Sequence, residues 1–147
     1  MNPDFDALAA IHAACFPRGW SAGELAGLVR QNGVILRSAP DAQQPLGFIL
    51  IQSVLDEAEI LTIAVAPSAR RQGLGRILLT EAETAAQAGG VRKIFLDVSQ
   101  NNSAALALYR SAGFVETGCR PAYYSDGSDA VLMEKTLPAL DGAERSA

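Results

Sequence analysis

The chain has 147 residues, 49% of them apolar, and its 16 acidic side chains outnumber 12 basic ones for a net charge of −4. This suits one domain with a real core and argues against a general nucleic-acid face, while admitting a cationic acceptor such as an amine or a basic peptide. With no membrane-length apolar run, no basic-then-apolar leader at the start, and Cys15, Cys119 and the lone His12 outside metal-ligand spacing, a cytoplasmic, metal-free protein is expected.

Asp4 or Asp6 is placed to cap a first helix running to about Cys15, with Leu8, Ile11 and Cys15 at helical spacing. Phe16-Pro17-Arg18-Gly19 breaks it. Ser21 then caps a second helix through Leu25, Leu28 and Val29, with Gly33 near its end. Val34–Arg37 reads as a strand and residues 40–45 as a polar hairpin loop. A longer strand over Gly47–Leu55 turns at Asp56-Glu57 into the next strand, which starts at Glu59. Its Ile60–Val65 run is apolar, β-branched and bounded by Pro67, which suits a buried strand. By simple alternation Glu59 shares a face with Leu61, Ile63 and Val65. From Leu74 the pattern becomes helical, with Leu74, Ile77, Leu78, Ala82 and Ala85 on one face and Gly89-Gly90 as the stop. Lys93–Val98 is another apolar strand. Asn102 leads into a short helix over Ser103–Ser111 that Gly113 ends. Phe114–Cys119 and Val131–Leu137 read as closing strands. The single domain over residues 1–147 is expected to have its core at about 4–137 and a frayed tail over 138–147.

Between the buried strand and the helix from Leu74 lie Arg70, Arg71, Gln72, Gly73, Gly75 and Arg76. A helix N-terminus offers unpaired N–H groups and the positive end of a dipole, and glycines let a phosphate approach the backbone. The turn therefore reads as an anion site for the pyrophosphate of a nucleotide-like cofactor, against the plainer reading of a surface turn with solvated arginines. A phosphate loop of the Gly-Lys-Ser/Thr kind is excluded, because Arg76-Ile77 follows Gly75. The dinucleotide fingerprint is excluded too, because Leu78 stands where its third glycine belongs.

What remains, Arg70-x-x-Gly73-x-Gly75 directly after a strand ending Ile63-Ala64-Val65, resembles motif A of the GNAT superfamily of N-acetyltransferases. Downstream, Leu96-Asp97-Val98, Asn102, Ala105, Leu108-Tyr109 and Gly113-Phe114 resemble motif B of the same enzymes. Phe16-Pro17-x-x-Trp20-Ser21, Asp56-Glu57-Ala58, and Arg120-x-x-Tyr123-Tyr124 with Asp129-Ala130 are similar to the RimI family of ribosomal-protein alanine N-acetyltransferases. The resemblance covers about residues 8–137. It implies an α/β fold, a mixed central sheet flanked by helices with a splayed central strand pair that admits acetyl-coenzyme A as co-substrate. It also implies transfer to the N-terminal alanine of a small-subunit ribosomal protein, with no metal, no nucleic acid and no membrane. The family opens with a strand, whereas this chain starts almost at the first helix. The sheet is expected either to lack that first edge strand or to reflect a start set too late.

The resemblance assigns the cofactor to the backbone of Ile63, Ala64 and Val65, to the loop Arg70, Arg71, Gln72, Gly73, Leu74, Gly75 and Arg76, and to Asn102 and Tyr109. Tyr109 is the family's general acid, since a protonated phenol can donate to a departing thiolate. At the family's base position this chain has Asp97 in place of glutamate. Asp97 reads equally as a base, directly or through water, and as a partner for the following turn; Glu59 is the second carboxylate in question. An α-amino group with a pKa near about 8 asks little of either. Asn102 reads both as a helix cap and as a ligand of the pantetheine arm. Tyr123 and Tyr124 with Arg120 read either as a wall for a peptide N-terminus or as hairpin packing, and Trp20 as a core or wall residue. Neither cysteine lies in a motif, which favours direct transfer over a covalent enzyme intermediate. The alternatives are a small-amine acetyltransferase and a non-catalytic acyl-coenzyme A binding module.

Overall fold

The Asp4 carboxylate accepts a hydrogen bond from the Ala7 N–H at 3.0 Å and so starts the first helix, α1, Phe5–Cys15. A reciprocal capping box follows. Ser21 Oγ accepts from the Glu24 N–H at 3.1 Å and Glu24 accepts from the Ser21 N–H at 3.0 Å, which fixes the start of α2, Ala22–Val29. The structure is a computed structural model that describes residues 3–139, so most of the expected tail lies outside the described residues. After α2 come β1 Val34–Ala39, β2 Gly47–Val54, β3 Glu57–Val65, α3 Leu74–Ala88, β4 Lys93–Ser99, α4 Ser103–Ser111, β5 Val115–Arg120 and β6 Ala130–Thr136. Among the described residues no strand precedes α1.

The strands form one six-stranded sheet in the order β1-β2-β3-β4-β6-β5, with β3–β4 as its parallel pair. Strand β2 shows why helices must cover both faces. Phe48, Ile49, Leu50 and Ile51 are all fully buried in succession. Ile49 and Ile51 join the core with Leu78, Leu79, Ala82, Ile94 and Leu96, beneath α3 and α4. Phe48 and Leu50 join the second core with Leu8, Ile11 and Leu25, beneath α1 and α2. The expected mixed sheet between helical layers is what the chain forms.

Three local expectations are corrected. The β2–β3 turn is Leu55-Asp56, not Asp56-Glu57, because Glu57 already pairs with Val54. Leu55 takes up the reversal with a φ of 57°. On α3 the buried stripe is Leu78, Leu79, Ala82 and Ala86, with Ala85 on its flank and Ile77 48% exposed. The packing of α3 onto β1 and β2 turns the helix by part of a residue from the phase its sequence suggests.

The third correction matters most. Ile51 pairs with Ile60 while the adjacent Leu50 pairs with Thr62, so Leu61 is an extra residue, a β-bulge. The bulge inverts the alternation within β3. Ile63 and Val65 therefore pack toward the α3 core together with Ala58 and Ile60, whereas Glu59 and Leu61 lie on the other face. Beyond the bulge the sheet also opens. Parallel pairing of β3 with β4 covers Glu57–Lys93, Ala58–Ile94 and Glu59–Phe95 and goes no further.

The helical phase of α3 is testable by equilibrium unfolding in urea. Leu78→Ala, at a fully buried site, is expected to lose about 2–5 kcal/mol of stability. Ile77→Ala is expected to lose no more than about 1 kcal/mol. Similar losses at both positions would contradict the observed rotation.

Candidate active site

Because β3 and β4 part after Glu59 and Phe95, β3 has a free edge. Val65 shows which backbone groups face it. Its carbonyl accepts from Cys15 Sγ at 3.3 Å and from Arg70 Nε at 3.3 Å, away from β2. By strand alternation the N–H groups of Ile63 and Val65 face the same opening, while Ala64 is the residue opposite Phe48 in the β2 ladder. Beyond Val65, a short 3₁₀ turn at Pro67–Ala69 leads into the glycine loop. Arg71 and Gly73 adopt φ values of 65° and 79°. The first helical bond of α3 is Ile77 N–H to Gly73 C=O. The N–H groups of Leu74, Gly75 and Arg76 therefore have no intrahelical acceptor and are disposed for an anion.

The opening widens into a cavity of about 580 Å³. Of the residues singled out in the sequence, Ile63, Ala64, Val65, Arg70, Arg71, Gly73, Leu74, Gly75 and Asn102 line it. Gln72 and Arg76 do not; Arg76 instead donates to Ser111 Oγ at 3.1 Å and ties α3 to α4. Gly75 has a packing reason as well, since a Cβ there would lie 3.2 Å from Leu108 Cδ2. Asn102 Oδ1 caps α4 by accepting from the Ala105 N–H at 3.1 Å, which leaves its amide N–H₂ free to donate. Cys15 and Phe16 complete the wall from the end of α1. The sequence reading named both residues but gave neither a place in this site, because no local pattern reveals that the end of α1 lands on Val65. Free edge amides, a helix N-terminus and two exposed arginines form a donor set that suits a diphosphate joined to an amide-bearing arm.

A second cavity, of about 610 Å³, lies on the face of β4 and β6 away from α3 and α4. Glu59 and Asp97 both line it, with Arg120, Tyr123, Val54 and Leu55 at its margin. Asp97 is half-buried, two residues beyond the last β3–β4 pair. At that margin the Arg120 guanidinium lies 5.5 Å from the centre of the Tyr123 ring, a contact that fits both a wall of the cavity and packing within the hairpin.

Tyr109 is buried on α4 against the edge of Phe114, with ring centres 5.6 Å apart, and lines neither cavity. Burial, reinforced by Tyr124, raises its pKa well above the ordinary phenol value, so its hydroxyl is protonated at neutral pH. The Tyr124 hydroxyl is raised as well, first by burial and then by the charges of Asp97 and Tyr123.

His12 is buried beside the first cavity. Nδ1 accepts the Trp20 N–H at 3.0 Å and Nε2 lies 3.1 Å from Thr62 Oγ1. Burial lowers its pKa, and the Glu24 charge opposes that in part.

A profile of the acetyltransferase (GNAT) family matches residues 5–114. The chain belongs to the acetyltransferase (GNAT) family, as the two motifs suggested. It is 46% identical over 89 residues to ribosomal protein bS18-alanine N-acetyltransferase of Escherichia coli, covering 58% of this chain and 60% of that protein. That alignment spans less than two thirds of the E. coli protein. The enzyme of the same description from Haemophilus ducreyi is 36% identical over 138 residues, covering 90% of this chain and 94% of that protein. The crystal structure of the E. coli ribosomal-protein-S18-alanine N-acetyltransferase superposes with a TM-score of 0.83 at 34% identity, covering 95% of this chain and 90% of that one. Among the described residues, no helix is long and apolar enough to cross a membrane, and no group of three or more His, Cys, Asp or Glu is placed to hold a metal ion.

Two measurements check the local physics. Gly73→Ala has open space for its methyl group, so its cost is backbone strain alone, about 1 kcal/mol in urea unfolding. No loss of stability would contradict the left-handed loop. For His12, folding favours the neutral ring, so its contribution is complete above the unfolded value of about 6.5 and falls away as the pH drops below it. Between pH 7.5 and pH 5.5 the stability of wild type is expected to fall more steeply than that of His12→Gln.

Proposed function

We propose that this chain is a protein N-terminal acetyltransferase. In one domain it moves the acetyl group of acetyl-coenzyme A directly to the N-terminal alanine of a small-subunit ribosomal protein. The observation that carries the reading is the opening between β3 and β4. A donor-lined cavity and a carboxylate-lined groove share these two strands as walls. The names of the relatives from E. coli and H. ducreyi support the choice of acceptor, and the chain's acid excess agrees with a basic peptide. The reading puts the enzyme in the cytoplasm, where ribosomal proteins are made.

Acetyl-coenzyme A, as co-substrate, supplies an activated acetyl group as its thioester. The unpaired N–H groups at the start of α3, with Arg70 and Arg71, hold its diphosphate. The N–H groups of Ile63 and Val65 pair with the amides of its arm and with the acetyl oxygen, where donors set in advance favour developing negative charge. Asn102 directs its free amide N–H₂ at the same arm. In the acceptor groove Asp97 takes a proton from the incoming amine, directly or through water, and Glu59 adds negative charge that draws the amine in. The reading keeps Tyr109, held protonated by burial, as proton donor to the leaving sulfur, a role that requires its hydroxyl, which lines neither cavity, to reach the thioester once the arm is bound. The exposed apolar margin at Val54, Leu55 and Tyr123 suits a peptide better than a small amine.

The deciding assay follows release of free coenzyme A thiol with an alanine-initiated basic peptide and with the same peptide blocked at its N-terminus. Turnover is expected with the free peptide alone. Binding of acetyl-coenzyme A without turnover on peptides would replace this reading with a small-amine enzyme or a binding module. Tyr109→Phe is expected to lower kcat by about 100-fold with little change in the affinity for acetyl-coenzyme A. Asp97→Asn is expected to flatten the acidic limb of the pH–rate profile; an unchanged limb would move the base to Glu59 or to water.

A further inference from the structure

We propose that His12 is a positioning residue for acetyl-coenzyme A: it locks the α1-end wall of the cavity to the bulged strand that presents the Ile63 and Val65 N–H groups. The inference rests on the first cavity being the acetyl-coenzyme A site, as read above.

His12 is 3% exposed and lies on α1 three residues before Cys15 and four before Phe16, both of which line the cavity. Its Nδ1 accepts from the Trp20 backbone, so the neutral ring carries its proton on Nε2 and donates it to Thr62 Oγ1. Thr62 sits directly after the bulged Leu61 and directly before Ile63. One imidazole thus spans the end of α1, the loop that follows it and the bulge of β3. The ring is sandwiched as well, with Phe16 at 4.4 Å and 30° and Trp20 at 4.7 Å and 14° between ring centres and planes. The loop fits α1 so closely that a Cβ on Gly19 would lie 2.6 Å from Ala13 Cα.

A bulge leaves a residue outside the ladder and bends the strand, so β2 alone does not hold β3 in place at that point. The Thr62–His12 bond supplies a second anchor from the other side. A phenyl ring would fill the same space without the desolvation cost of an imidazole. What the imidazole adds is the pair of directed hydrogen bonds. Protonation would place a second N–H on Nδ1, facing the Trp20 N–H, and the loop would lose its acceptor. The groups facing the ring are Thr62 from β3, Phe48 from β2, Phe16 and Trp20 from the loop, and the charge of Glu24 from α2.

The test is calorimetric titration of acetyl-coenzyme A into wild type, Thr62→Val, His12→Asn and the double variant, each confirmed folded by thermal melting. Thr62→Val is expected to raise Kd about five-fold, the effect of one lost buried hydrogen bond. Asn at position 12 keeps an acceptor for the Trp20 N–H but falls short of Thr62, so His12→Asn should match Thr62→Val. The double variant should then be no worse than either single one. Unchanged Kd in the folded single variants, or additive losses in the double variant, would overturn the proposal while leaving the cavity's assignment intact. Trp20, the sole tryptophan, gives an independent readout. Its emission is expected to fall as the stacked His12 gains a proton, with the wild-type Kd rising over the same pH range. A Kd indifferent to that transition would also overturn it. A wild type that binds no acetyl-coenzyme A would overturn both this proposal and the function on which it rests.

Discussion

Parallel pairing between β3 and β4 holds for three residues and then stops, and the backbone groups freed beyond Glu59 need partners of another kind. Much of the molecule can be understood as an answer to that need. The Val65 carbonyl is met by Cys15 and Arg70, which brings the end of α1 and the start of the glycine loop to the same edge. The N–H groups of Ile63 and Val65 face a cavity in place of a neighbouring strand. An interrupted sheet costs hydrogen bonds, and a ligand with amide and carbonyl groups can restore them. The interruption therefore leaves backbone donors open to a ligand.

The rest of the fold packs around that gap. Strand β2 is buried on both faces and divides the interior into two cores, so the β1–β2–β3 half is clamped between α1–α2 and α3. The β4–β6–β5 half is held by α4 and by the ion pair of Lys135 with Glu83 on α3, at 2.7 Å. The Arg76–Ser111 bond and the close approach of Gly75 to Leu108 join α3 to α4 beside the cavity. The bulge at Leu61 supplies the remaining freedom. It turns Ile63 and Val65 onto the α3 core while Glu59 faces the second cavity, so the side chains of Ile63 and Val65 and the carboxylate of Glu59 end on opposite faces of the strand.

The electrostatics sort in the same way. Positive charge and free N–H groups gather at the loop before α3, while Glu59 and Asp97 share the groove beyond the last β3–β4 pair. Tyr109 and Tyr124 both have pKa values raised first of all by burial. Buried phenols remain proton donors because burial penalises the phenolate. This is the condition a general acid on α4 needs.

Much was legible in the residues themselves. Capping at Asp4 and Ser21, helix stops at glycines and the apolar runs of β2, β3 and β4 placed nearly every element within a residue or two, since caps, turns and periodicity act locally. The glycine loop and the Asn102–Tyr109 helix marked the family for the same reason, since an anion-binding turn demands particular residues at particular spacings. Tertiary structure decided what depends on residues far apart in the chain. The bulge at Leu61 overrode simple alternation, because register is set jointly with β2. The rotation of α3 followed from the surface it packs on. The meeting of His12 with Thr62 and of Cys15 with Val65 has no sequence signature. Such contacts arise from packing two cores around one interrupted sheet, and local propensity carries no information about which distant surfaces that packing brings together.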